Sequence, residues 1–154
     1  MDPTLAALLG AGLGAVATAT VPFLTVRARR RDDAAAQRRT DTLAFLDVVI
    51  RMVKARGVQD WRLFSSTHSE AVVALERMLI GAPARDVDHL QRVANFAFER
   101  ATKDENVTLA TVGVEAMSEV LRRWCRGELK GRAIADAFEP ALDVQFAKRG
   151  VRGA

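Results

Sequence analysis

The sequence predicts an all-α protein: one N-terminal transmembrane helix followed by a small antiparallel bundle of four to five helices. Three observations lead there. Pro3 through Val26 contains no charged residue. Beyond residue 40, apolar residues recur at helical spacing, and short breaks built on Gly, Pro or polar clusters separate the runs. No stretch combines period-two alternation with the turn chemistry of a hairpin. The organisation that follows is an anchor over 1–26, a basic juxtamembrane helix over 27–39, a helical bundle over 40–148 and a disordered tail over 149–154.

As a helix, the 24 uncharged residues extend about 36 Å at ~1.5 Å per residue. That is enough for a hydrocarbon core of about 30 Å. A soluble core helix of this length carries a polar stripe, and here threonine is the most polar residue. A secretory signal peptide has positive charge ahead of its apolar region. This chain begins Met-Asp-Pro and places its arginines afterwards, although Ala17-Thr18-Ala19 has the small residues of a cleavage site. Arg27, Arg29, Arg30 and Arg31 stand at the C-terminal edge of the run. By the positive-inside rule they hold that flank in the cytoplasm and leave the N-terminus outside. They also attract anionic membrane lipid, at about 1 kcal/mol per basic residue near the surface. Arginine outnumbers lysine 19 to 4 and alanine is abundant, the composition of a high-GC bacterial genome. The expected location is therefore the bacterial cytoplasmic membrane. Within the run, Ala6, Gly10, Gly14 and Thr18 recur every four residues. Gly10 and Gly14 at that spacing allow two membrane helices to approach closely.

Arg27 to Arg39 has good helix formers and no breaker. From Thr42, Leu43, Leu46, Val49, Ile50 and Val53 fall on one face, with Phe45 and Met52 at its edge, and Gly57 ends the helix. Residues 57–67 read as a connection. Thr67 with Glu70 is a capping box for a second helix, whose stripe is Val72, Leu75 and Leu79 and whose stop is Gly81-Ala82-Pro83. A third helix, Ala84 to Thr102, aligns Val87, Leu90, Val93, Ala94, Ala97 and Phe98. After the break at Lys103–Asn106, a fourth runs from Val107 to Arg126 and buries Leu109, Val114, Met117, Val120, Leu121 and Trp124 before Gly127. A last helical region, Leu129 to Lys148, carries Ile134, Phe138 and Leu142, with Pro140 as a kink or break.

The chemistry-bearing residues are sparse. A di-metal carboxylate bundle needs Glu-x-x-His on two helices, and only Asp86-x-x-His89 approaches that pattern. His89 lies off its apolar stripe and reads as solvated. Cys125, the only cysteine, shares a face with Val114 and Leu121 and reads as a small buried hydrophobe. Gly-rich phosphate loops and nucleophile elbows are missing. No catalytic residue, cofactor or metal is expected. The pI near 10.0 invites a nucleic-acid role. Yet residues 27–39 carry a net +4 and residues 40–154 only +1. The excess charge sits beside the uncharged run, so no nucleic-acid partner is expected.

Phe96 stands apart, about 130° from the centre of its helix's stripe at ~100° per residue. Large apolar residues off the core face can anchor a partner. Trp61 and Phe64, in the first long connection, are similar candidates. The leading function is a single-pass, membrane-anchored interaction module without catalysis, meeting membrane lipid and either a protein partner or itself. The alternatives are an oligomerising, membrane-perturbing or channel-forming protein of phage-type lysis or exclusion, and an enzyme with an unrecognised site in the bundle.

Overall fold

The structure, a computed structural model, describes residues 3–103 and 107–150, with side chains described from residue 26 onward. Among these residues every regular element is a helix: α1 (Pro3–Gly57), α2 (Trp61–Ile80), α3 (Ala84–Lys103), α4 (Val107–Cys125), α5 (Arg132–Asp136) and α6 (Phe138–Arg149). The chain divides into two compact units, residues 1–36 and 37–154. The second is a helical bundle around one apolar core.

The bundle's part of α1 is turned relative to the stripe expected from periodicity. Phe45 and Met52 lie at the centre of the core, whereas Leu43 is 57% and Ile50 41% exposed. The cause is an excess of apolar residues. Leu43 to Val53 carries them around more than half of the helix, so periodicity does not single out one inward face. The two largest side chains took the interior, and the Phe45 ring meets Phe98 at 5.9 Å.

α2 starts seven residues earlier than the capping-box reading placed it. Asp60 is the N-cap, its carboxylate accepting from the Leu63 backbone N–H at 3.0 Å. Thr67 sits inside the helix, buried, and its hydroxyl donates to the Leu63 carbonyl at 2.7 Å. That back-bond satisfies a buried threonine without ending the helix. The buried stripe is Ala71, Leu75, Met78 and Leu79, and Val72 is exposed. Gly81 closes α2, its N–H bonding back to the Arg77 carbonyl.

α3 follows its predicted face through Leu90, Val93, Ala94 and Ala97, with Val87 and Phe98 packed against the core edge. Arg56, in the last turn of α1, donates to the carbonyls of Arg100 and Ala101 in the last turn of α3. A guanidinium there satisfies end carbonyls and complements the helix dipole.

α4 is the centre of the bundle. Val112, Gly113 and Val114 are all buried, and so are Ala116, Met117 and Ser118, so the helix is covered on nearly every side. Its small residues admit close neighbours. The Arg100 side chain lies 3.5 Å from where a Cβ on Gly113 would stand. Leu109, near the N-terminus of α4, is only half-buried. α4 packs against α3 and α6, and α3 against α5.

Gly127, with φ +79°, ends α4 as expected. The last region breaks at Ala137, not at Pro140. Pro140 instead occupies the first turn of α6, where a missing N–H costs no intrahelical bond. Residues 104–106 and 151–154, covering most of the third break and of the tail, lie outside the described residues.

Candidate functional site

Phe96 opens onto a groove between α3 and the α5–α6 segment, a cavity of about 570 Å³. Its floor is Val93, Phe96, Phe138, Leu142 and Phe146. Phe96 is 38% exposed and meets Phe138 edge-on at 5.2 Å. Phe96 thus both contacts a second helix and presents an open apolar surface. The Arg100 guanidinium lies 4.9 Å from the Phe96 ring centre, a cation–π contact. The walls differ in sign. α3 contributes Arg92 and Arg100, and the opposite side contributes Asp136, Glu139 and Asp143. Among the described residues Arg92, Glu139 and Asp143 make no ion pair.

Trp61 and Phe64 belong to α2, not to a connection. Trp61 is 61% exposed and Phe64 half-buried against the core. They begin a chain of rings. Trp61 meets Phe64 at 5.9 Å, Phe64 meets His68 at 6.3 Å, and His68 meets Phe98 at 6.0 Å. This series runs inward to Phe45 and does not include Phe96.

The sequence reading missed the main polar feature of the interior. Asp86 is 2% exposed. Its carboxylate accepts from Trp124 Nε1 at 3.0 Å and from the Gly131 backbone N–H at 2.7 Å, with Arg85 Nε at 3.6 Å. One side chain thus joins α3, α4 and the α4–α5 connection. Gly131 reaches it at φ +53°, a backbone conformation that favours glycine. The available signal was Trp124 itself, since a buried indole N–H requires an acceptor. His89, expected in solvent, is half-buried, and its Nδ1 is buried without a hydrogen-bond partner. Cys125 is half-buried and its thiol donates to Thr42 Oγ1 at 3.3 Å. No cluster of three or more His, Cys, Asp or Glu able to hold a metal occurs among the described residues. Near the middle of α4, Glu115 pairs with Arg149, and that hydrogen bond and charge raise the Arg149 pKa.

In the first unit, Arg27, Arg29, Arg30 and Arg31 are all exposed. Gly10 and Gly14 lie outside the residues whose side chains are described, as does nearly all of the uncharged run. Among the described residues no helix is long and apolar enough to cross a membrane. No protein-family model, curated protein or solved structure matches this chain.

Proposed function

We propose that this chain is a non-catalytic binding module tethered to the cytoplasmic face of a membrane. The carrying observation is the charge step: 24 uncharged residues run directly into Arg27, Arg29, Arg30 and Arg31. A helical run of that length suits a bilayer, and the exposed guanidiniums suit an anionic inner surface. Tethering raises the module's effective concentration for anything else held at that surface.

The Phe96 groove is the binding face in this reading, with a protein or a second copy as its occupant. An apolar floor between walls of opposite sign favours an occupant that also presents both signs. A second copy turned about a two-fold axis offers that arrangement.

Phe96→Ser tests it. The substitution removes an edge-on ring pair and part of a buried surface, for an expected loss of about 1–2 kcal/mol in domain stability. Binding or self-association should fall at least tenfold, read by sedimentation and by the proteins that co-purify with the full chain. An unchanged association state together with an unchanged co-purifying set would remove the groove from the proposal. A bound metal or cofactor at stoichiometric level would overturn the absence of catalysis.

A further inference from the structure

A second groove runs along α1, and its residues are separate from those of the Phe96 groove. α1 lines it with Leu43, Leu46, Ile50 and Val53, and α4 and α6 form the opposite wall, across two adjoining cavities of about 480 and 150 Å³. The spacing of those four residues, three then four then three, is that of a coiled-coil seam. The seam is only half covered: Leu46 and Val53 are buried, but Leu43 is 57% and Ile50 41% exposed, while Phe45 and Met52, on the opposite side of the same helix, are fully covered. A helix apolar on both faces is a helix expected to be covered on both.

The rim carries a clear sign. Arg39, Lys54, Arg122 and Lys148 line the two cavities, and none of them makes an ion pair among the described residues. Of the two carboxylates present, Glu115 is already held by Arg149, which leaves Glu119 alone. We infer that this groove takes an amphipathic helix of a partner protein, with apolar residues at heptad spacing and acidic residues on the flanks. The charge excludes a second copy placed groove to groove, because the four cations would then face their own counterparts. From Leu43 to Gly57 the seam extends about 21 Å at ~1.5 Å per residue, the length of a helix of four turns. Such helix-in-groove recognition is carried by apolar anchors three and four residues apart.

The probe is a fluorescein-labelled amphipathic peptide of about 18 residues, with leucine at the seam positions and glutamate on both flanks. Its mirror carries lysine in place of glutamate. Anisotropy is measured against the full chain in a mild nonionic detergent. The acidic peptide should bind and weaken as salt rises, and the lysine peptide should not bind. Leu43→Ser with Ile50→Ser should weaken the acidic peptide at least tenfold while the bundle still unfolds cooperatively, since neither side chain belongs to the buried core cluster. Lys54→Glu with Arg122→Glu, which alters only the rim, should reverse the preference between the two peptides. Equal binding of both peptides, no binding of the acidic one, or indifference to either pair of substitutions would overturn the assignment. So would a dimer of the chain that the same substitutions dissociate, because the occupant would then be a second copy. These readouts do not involve Phe96 or the uncharged run, so their failure leaves the preceding proposal standing.

Discussion

Trp124→Ala is expected to lower the unfolding free energy of the helical domain by about 3–5 kcal/mol, as for other buried large-to-small changes. A small domain has about 5–15 kcal/mol in total, so the variant stands near the threshold of folding. Two losses combine. The indole is buried in the main core cluster, and its removal leaves a cavity there. Its N–H is also one of the few donors to Asp86, a carboxylate with almost no contact with water. Trp124→Phe separates them, because it keeps most of the apolar ring and deletes the donor. A hydrogen bond to a charged group contributes about 1.5–3 kcal/mol, and Trp124→Phe is expected to cost that much. Chemical denaturation of Trp124→Phe, Asp86→Ala and the double variant gives the coupling directly. A coupling near zero would show that the Asp86–Trp124 bond contributes nothing beyond packing.

Removal of residues 1–36 is expected to transfer the protein from the membrane fraction to the soluble fraction while the bundle still unfolds cooperatively. The boundary between the two compact units falls at Ala36 and Gln37, and among the described residues the core cluster begins at Phe45. Among the described residues, every member of that cluster lies in the second unit. The loss of membrane association should be complete, since the deletion takes away both the uncharged run and its arginine collar. Circular dichroism would show a helical protein with a single sharp transition. A broad, non-cooperative melt would mean that the first unit or a partner completes the core. In the full chain, a thiol introduced by Ala154→Cys, with Cys125→Ser to remove the native one, should resist an impermeant maleimide in intact cells. Labelling before lysis would reverse the orientation, and full-length protein in the soluble fraction would remove the anchor altogether.

The helices were largely legible in the sequence because their ends carry specific chemistry. Gly57, Gly81 and Gly127 stop α1, α2 and α4 where they were read to do so. Other features were ambiguous for physical reasons. Thr67-x-x-Glu70 has the composition of a capping box, but a threonine hydroxyl can equally return to the carbonyl four residues back. The helix starts instead after Asp60, whose carboxylate accepts from the Leu63 backbone N–H. On α1 the apolar excess hid which face was inner. Asp86 stood out in the sequence only as a weak half-match to a metal motif with His89, whereas its partners lie 38 and 45 residues away and no local spacing announces them. Phe96 was legible as an exception to its stripe, but its contact with Phe138 and the two-signed walls depend on how α6 folds back.

Solvent deuterium is expected to reach α4 last. A helix covered on nearly every side has little face through which a single turn can open to water, so most of its amides exchange only when the whole bundle unfolds. α2 is different: Val72, Val73 and Ile80 face outward along it, and its turns can fray without exposing the centre. The bundle is therefore graded in permanence, with a slow-exchanging axis inside a faster sheath. Ligands that cover that sheath would register as slowed exchange in α1 or α3, while α4 would keep the rate of global opening.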